Sequence, residues 1–168
     1  IVACLVGSEM CIRDRPLTPA LQHQLRDWLQ EDLGRGDLSA PALPPGRCRA
    51  HWISKASGVF CGGSLLDFLF RVLDPAASVQ LLVADGEQVS PGQRLLNLEA
   101  EAAALVAAER TALNLVMRLS GIASATARLV ADLEGSGVQL ADTRKTTPGL
   151  RVLAVSYTHL RAHETSDY

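Results

Sequence analysis

A long amphipathic helix is the feature that most constrains how this chain folds. In the second half of the chain, apolar residues recur every three or four positions and form one helical stripe: Leu105, Ala108, Ala112, Val116 and Leu119. This spacing predicts a helix over 101–119 whose stripe is buried against the rest of the fold. We expect Gly121 to break or bend the helix, because glycine is a poor helix former, and a further helix to follow over 124–133.

Another helix and a strand are predicted near the start of the chain. Thr18 is a helix N-cap followed by Pro19 at the first helical position, and apolar residues continue on one face until Gly34. From Arg47 onwards polar and apolar residues alternate, which predicts a strand with Cys48, Ala50 and Trp52 on one face. We expect Gly58 to end this strand.

The remaining elements mix helix and strand. A helix is predicted near 63–74, a pair of strands over 78–84 and 93–100, and a short apolar strand over 138–142. These elements predict an α/β fold. In open α/β sheets and α/β barrels, polar residues just after the carboxyl end of a strand commonly form the ligand site.

The composition supports an ordinary core and argues against several functions. Of the 168 residues 48% are apolar, and the net charge is −2, so nucleic acid and anionic membranes are not expected partners. The apolar run at 1–7 is too short to span a bilayer and lacks a basic leader. Four cysteines without a C-x-x-C pair favour a reduced, cytoplasmic chain with no metal or disulfide framework.

Residues 142–149, which we call the anion loop, follow the last predicted strand. Arg144 can bind a carboxylate or phosphate through two parallel hydrogen bonds, Lys145 adds a compact charge, and Thr143 adds a hydroxyl. The alternative is a solvated loop in which Asp142 pairs with Arg144. The residue types alone leave these two interpretations equally open.

A polar stripe lies opposite the apolar stripe of the long helix. Arg110, Asn114 and Arg118 follow one another at one-turn spacing. Arg110 is therefore a second candidate for binding a substrate anion. Spacing alone favours an ordinary solvent-facing stripe, because exposed helix faces are usually polar.

Three further features favour structural explanations. Cys61 has no nearby histidine base, which favours a buried thiol over a nucleophile. The hairpin around 85–93 resembles half of a biotinyl or lipoyl carrier domain, but the exposed lysine of such carriers is missing there, since Lys55 lies far upstream. Asp37 follows two glycines and is best explained as a turn residue.

Five segments, in this order, resemble the quinolinate phosphoribosyltransferase family of carboxylating nicotinate-nucleotide pyrophosphorylases: EDLGRGDLS, SKASGVFCGG, DGEQVSPGQ, ERTALNLVMRLSGIASAT and DTRKTTPGLR. The long-helix and loop motifs are the specific ones. The resemblance implies an α/β fold in which an amino-terminal α/β sandwich domain, over 16–105, precedes the truncated start of an α/β barrel catalytic domain, over 106–154.

The same resemblance implies an activity and site residues. The family transfers phosphoribosyl from phosphoribosyl pyrophosphate to quinolinate with decarboxylation, giving nicotinate mononucleotide, pyrophosphate and CO2 in NAD biosynthesis. It implies that Thr143, Arg144 and Lys145 bind the substrate and that Arg110 reaches into the partner's site of a homodimer. Mg2+ normally accompanies the pyrophosphate, and its ligands and the catalytic residues are expected outside this chain.

Both ends of the chain resemble translated sequencing-adapter DNA. Residues 1–15 and 155–168 are therefore expected to be artefact sequence. His159 and His163 have the spacing of a metal-binding pair on a helix, but they belong to that sequence. Because the family's later glycine-rich segment and His-Arg pair are missing, we expect this polypeptide to be inactive although its parent protein is active.

Two rival functions stay open. A phosphoribosyltransferase-like protein associated with molybdate transport shares DTRKT but usually departs from TTPGLR after it, so Thr147, Leu150 and Arg151 favour quinolinate. A noncatalytic binding module built on the amino-terminal sandwich belongs to a different class and would bind neither substrate.

Overall fold

The structure is a computed structural model that describes residues 17–34, 36, 40–138, 140–141 and 145–153. In chain order its helices and strands are α1 (Pro19–Leu33), β1 (Arg47–Ile53), β2 (Gly58–Val59), α2 (Leu66–Leu73), β3 (Ser78–Leu81), β4 (Gln88–Val89), β5 (Arg94–Glu101) and α3 (Ala102–Asp132). Single 3-10 turns at Ala40–Ala42 and Gly63–Leu65 precede β1 and α2. Asp37, His159 and His163 lie outside the described residues.

The first predicted helix is confirmed as α1, and its caps explain where it begins and ends. The Thr18 hydroxyl accepts a hydrogen bond from the Leu21 N–H at 3.3 Å, and Pro19 occupies the first turn. At the other end Gly34 has φ +52° and its N–H donates to the Gln30 carbonyl at 2.9 Å. Its buried face carries leucines that join the core.

Strands β1, β5 and β3 form an antiparallel sheet in that order, and β2 pairs separately with β4. The predicted alternation in β1 is confirmed, because Cys48, Ala50 and Trp52 are half-buried whereas their neighbours are exposed. The predicted strands over 78–84 and 93–100 are confirmed as β3 and β5. One face of the sheet packs against the helices and the other carries polar side chains.

The expectation that Gly58 ends the first strand is wrong. Strand β1 ends at Ile53, after a register shift against β5 between Trp52 and Ile53, and Gly58 begins β2. The reason for glycine at this position is close packing. A Cβ added to Gly58 would lie 2.6 Å from the Ser124 hydroxyl oxygen, so only glycine lets β2 approach α3 this closely.

The core lies between the inner face of the sheet and the three helices. Its most deeply buried large side chains come from each of these layers: Leu25, Leu29, Phe60, Leu65, Leu66, Leu69, Phe70, Leu96 and Leu119. Trp52 on β1 meets Phe70 on α2 edge to face, with ring centroids 6.5 Å apart. Removing this apolar surface from water is the main force that holds the layers together.

The long helix is confirmed, but the expected break at Gly121 is wrong. Helix α3 continues through Gly121 to Asp132 and absorbs the separate helix predicted over 124–133. Glycine costs only about 1 kcal/mol within a helix. Ser120 and Ser124, on either side of it, hydrogen-bond the backbone at Cys61 and Val59, so tertiary contacts stabilise the helix on both sides of the glycine.

The apolar stripe of α3 has the predicted orientation. Ala108, Ala112, Val116 and Leu119 are buried, and Leu105 is half-buried against the core. By contrast, the short strand predicted over 138–142 is wrong at the residues that the structure describes, since 138, 140 and 141 belong to neither sheet. An apolar run forms a strand only when another strand supplies hydrogen-bond partners.

The described elements confirm the predicted α/β class, with an amino-terminal sheet layer packed against helices. The expected domain boundary between residues 105 and 106 falls inside α3 and stays a prediction. No helix within the described ranges is long and apolar enough to cross a membrane.

Candidate functional site

Helices α1 and α3 run in opposite directions and place the candidate residues along one seam. Near one end of the seam, Asp32 Oδ2 on α1 lies 3.4 Å from Arg110 Nε on α3. Toward the other end, the segment from 145 to 149 contacts Arg118 of α3 and lies close to Gln24 of α1. Each helix covers about two turns between these contacts, or roughly 12 Å.

Arg110 stands on the exposed polar stripe that the sequence predicted. Its side chain is 63% exposed, and Asn114 and Arg118 on the next two turns are exposed as well. The Asp32 carboxylate is 28% exposed and is the described partner of Arg110. An ion pair so open to water contributes little to stability, typically below about 1 kcal/mol. The ion pair with Asp32 therefore does not by itself explain why an arginine occupies position 110.

The described part of the anion loop is held against α3 by a short hydrogen bond. Arg118 Nη2 donates to Thr147 Oγ1 at 2.7 Å, although both residues are exposed. Lys145, two residues earlier, is also exposed. Thr143 and Arg144 lie outside the described residues, so the structure places only Lys145 of the three predicted loop residues.

A tight turn fixes the end of the anion loop. The Leu150 N–H donates to the Thr147 carbonyl at 3.0 Å, and Gly149 has φ +80°. Proline followed by glycine with positive φ is the pattern of a type II turn. Leu150 then packs against the core and Leu153 is buried, so the chain is anchored immediately after the turn.

The seam concentrates positive charge suited to binding anions. Arg110 and Arg118 lie on the same exposed side of α3, and Lys145 is an exposed residue of the loop that Thr147 attaches to Arg118. Guanidinium groups bind carboxylates and phosphates through paired hydrogen bonds, and an ammonium adds a point charge. These cations can bind negative groups, although Arg110 lies about two helical turns from the Arg118–Thr147 contact.

The described residues of the seam do not include a candidate metal centre. Within the described ranges no three His, Cys, Asp or Glu side chains lie close enough together to hold an ion. The residues present therefore do not form a site for the Mg2+ that the family resemblance implies.

Cys61 is a core residue, as the sequence predicted. It is completely buried, and burial, with a smaller contribution from the nearby Asp85 carboxylate, raises the pKa of its thiol far above the usual range. A thiol held in this form is a poor nucleophile. The hairpin that resembled a carrier domain is also different from such a domain, because β4 pairs with β2 rather than with β5.

Two concave surfaces among the described residues lie away from the seam. A polar hollow of about 400 Å³ covers the outer face of the sheet, where Arg49, His51 and Asn97 line it. A more apolar hollow of about 350 Å³ lies between β1 and the start of α3 and includes Trp52 and Glu109. Neither is lined by Arg110 or Lys145.

Two contacts of the seam were not predicted from the sequence. Asp32 was part of a recognised motif but had no assigned partner, and Arg118 was placed on the polar stripe without a link to Thr147. The sequence did offer one indication of the Arg118–Thr147 contact. Thr147 comes just before Pro148-Gly149, and a polar residue at the first position of a turn often forms a hydrogen bond that stabilises the turn.

Comparison with known proteins supports the resemblance along most of the chain. The model of the quinolinate phosphoribosyl transferase N-terminal domain matches residues 37–120, and that of the C-terminal domain matches 122–159. A probable nicotinate-nucleotide pyrophosphorylase (carboxylating) from Synechocystis is 42% identical over 130 residues, which cover 77% of this chain and 44% of the relative. Its Bacillus subtilis counterpart is 38% identical and is covered to 46%.

Solved structures give the same result. The nicotinate-nucleotide pyrophosphorylase from Francisella tularensis matches with a TM-score of 0.84 at 28% identity, over 90% of this chain and 54% of that one. NadC from Streptococcus pyogenes matches with a TM-score of 0.81 at 31% identity, over 87% of this chain and 54% of that one. The chain thus spans about half the length of the proteins it resembles.

Proposed function

The chain belongs to the quinolinate phosphoribosyl transferase family, and on that basis we propose that it is part of an enzyme that makes nicotinate mononucleotide from quinolinate and phosphoribosyl pyrophosphate. The observation that carries the proposal is the Arg118–Thr147 hydrogen bond. It joins the helix that presents Arg110 to the loop that presents Lys145, the two motifs that most specifically resemble the family.

The reaction explains why such a site is basic. The pyridine nitrogen of quinolinate forms a bond to the ribosyl carbon while the carbon–oxygen bond to pyrophosphate breaks. The 2-carboxylate then leaves as CO2, and the electron pair left on the ring carbon takes up a proton. Two polyanions have to be held side by side throughout, so fixed cations offset their repulsion and orient them.

We assign the substrate carboxylates to Arg144 and Lys145, with Thr143 nearby, and we place Arg110 in the site of the partner subunit in a homodimer. Support for the second assignment comes from the exposure of Arg110 on a face that is open to a neighbouring molecule. Mg2+ would accompany the pyrophosphate and requires ligands other than those described. We keep a cytoplasmic location as part of the proposal.

The test uses an extended protein, in which residues 17–153 are followed by the portion of the Bacillus subtilis relative that lies beyond its match. With quinolinate, phosphoribosyl pyrophosphate and Mg2+ it should form nicotinate mononucleotide and CO2 in equal amounts. Nicotinate, which lacks the 2-carboxylate, should be a poor substrate. Failure of a folded extended protein to consume quinolinate would refute the proposal.

The rival functions give different outcomes in the same assay. A noncatalytic module would bind neither substrate, and a molybdate-associated relative would not turn over quinolinate. The names of the Synechocystis and Bacillus subtilis relatives support the quinolinate function over both. We also keep the prediction that the 168-residue chain forms no nicotinate mononucleotide, and product formed by the purified chain would contradict it.

A further inference from the structure

The hydrogen bond between Arg118 and Thr147 joins two segments that are far apart in sequence. Arg118 lies on α3, two turns beyond Arg110 on the same exposed stripe, and Thr147 lies in the anion loop. The distance of 2.7 Å from Nη2 to Oγ1 is short for a nitrogen donor, as expected for a charge-assisted bond.

Thr147 is the position where such a bond has most effect on the loop. It opens the turn that the Leu150 N–H closes, and the buried Leu153 anchors the chain just beyond that turn. Lys145 is two residues before Thr147, and two residues of extended chain span at most about 7 Å. Whatever fixes Thr147 therefore also limits where the Lys145 ammonium can go.

We propose that Arg118 is a positioning residue for the anion loop and acts through the Thr147 hydroxyl. The inference rests on the proposed function of that loop as the carboxylate-binding segment. Because α3 carries both Arg110 and Arg118, one rigid helix then sets the location of the loop relative to the arginine that serves the other subunit.

An arginine suits this task better than a lysine. Its guanidinium is planar and keeps its charge, so a single hydrogen bond holds a defined direction even at an exposed site. A carboxylate is bound well only when the cation that faces it has a fixed position, so loss of the Arg118–Thr147 bond should weaken quinolinate binding and change kcat little.

The kinetic test compares Arg118→Ala and Thr147→Val in the extended protein. Each should raise the KM for quinolinate by about three- to tenfold, which corresponds to the net contribution of one typical hydrogen bond, while kcat changes by less than about twofold. Thr147→Ser should restore most of the affinity because it keeps the hydroxyl. The double variant should be no worse than either single one.

A matched control separates positioning from a general loss of charge. Arg128 is also an exposed arginine of α3 and lies farther along the helix from the loop contact. Arg128→Ala should leave the KM for quinolinate within about twofold of the parent. An equal rise in KM in Arg128→Ala and Arg118→Ala would overturn the proposal.

Amide hydrogen exchange of the 168-residue chain provides a readout that does not depend on activity. Arg118→Ala and Thr147→Val should speed exchange of the Leu150 N–H, which donates to the Thr147 carbonyl, by about threefold or more, and Arg128→Ala should not. Unchanged exchange in all variants would refute the claim that the Arg118–Thr147 bond restrains the loop. Faster exchange with an unchanged KM would refute the claim that this restraint contributes to quinolinate binding. Faster exchange in a protein that never consumes quinolinate supports the anchor while refuting the proposed function.

Discussion

Asp32 on α1 and Arg110 on α3 form an ion pair across the two longest helices of the described structure, with 3.4 Å between Oδ2 and Nε. The pair lies at the opposite end of the seam from the Arg118–Thr147 bond. It restrains the exposed Arg110 guanidinium without burying it. An arginine held in this way is available to bind an anion supplied by another molecule.

Arg110→Ala is expected to reduce activity far more than stability. In the extended protein kcat/KM should fall by about 100-fold, the order of effect seen when one preorganised donor to a substrate anion is removed. The free energy of unfolding should change by less than about 1 kcal/mol, because the Arg110 side chain is 63% exposed and its ion pair with Asp32 is screened by water. Steady-state kinetics and urea denaturation measure the two effects, and Arg128→Ala serves as the control for both.

Mixing two inactive variants tests whether the sites are shared between subunits. If Arg110 acts in the partner's site and Lys145 in its own, co-expressed Arg110→Ala and Lys145→Ala chains form heterodimers with one intact site. Random pairing should then restore roughly a quarter of the parent activity. Neither variant should recover when it is co-expressed with itself. Heterodimers that form but stay inactive would place Arg110 in its own subunit's site.

Ser124→Ala is expected to destabilise the fold. Its hydroxyl accepts a hydrogen bond at 2.8 Å from the N–H of Val59, a residue that is only 2% exposed. Removing the acceptor leaves a buried donor unsatisfied, which costs about 1 to 3 kcal/mol in the free energy of unfolding. Urea denaturation measures the loss. As a control, Ser90→Ala at an exposed position should stay within about 0.5 kcal/mol of the parent. A Ser124→Ala variant as stable as the parent would show that water hydrogen-bonds the Val59 N–H instead.

Cys61 should resist alkylation as long as the chain is folded. Burial removes the thiol from reagent and raises its pKa, so little thiolate is present at pH 8. Iodoacetamide followed by peptide mass spectrometry should modify the half-buried Cys48 first and reach Cys61 only after unfolding in urea. Rapid labelling of Cys61 in the native chain would contradict its place in the core.

Local sequence patterns were sufficient for the elements whose signals are themselves local. The Thr18-Pro19 cap and the alternation in β1 predicted α1 and the faces of the sheet, because both depend on neighbouring residues. The unbroken course of α3 was missed because Ser120 and Ser124 stabilise it through strand residues far away in sequence. Long-range partners of this kind leave no local pattern.

The candidate site was predictable to the same extent. Side-chain chemistry and spacing made Arg110 and Lys145 candidates, the family resemblance selected them, and both are exposed in the structure. Their supports, Asp32 for the first and the Arg118–Thr147 bond for the loop, depend on how α1 and the loop pack against α3. That packing is a property of the tertiary fold, which motif spacing does not describe.

Asp74 links the end of α2 to the sheet through several donors. Its carboxylate accepts hydrogen bonds from the Glu101 N–H at 3.0 Å, the Ala76 N–H at 2.9 Å and Arg47 Nη1 at 3.1 Å. The Glu101 N–H contributes most to lowering the pKa of this carboxyl below its usual value, and the other two donors lower it further. The folded state therefore favours the ionised form.

This preference predicts how stability depends on pH. Because the folded-state pKa of Asp74 is below the unfolded value of about 4, its contribution is present above that value and is lost as the pH falls toward the folded-state pKa. Asp74→Asn should flatten the decline of the urea midpoint between about pH 5 and pH 3. Gln80→Ala, an uncharged change on the same sheet, should keep the parent slope. An Asp74→Asn variant with the parent's slope would show that other carboxylates cause the acid sensitivity.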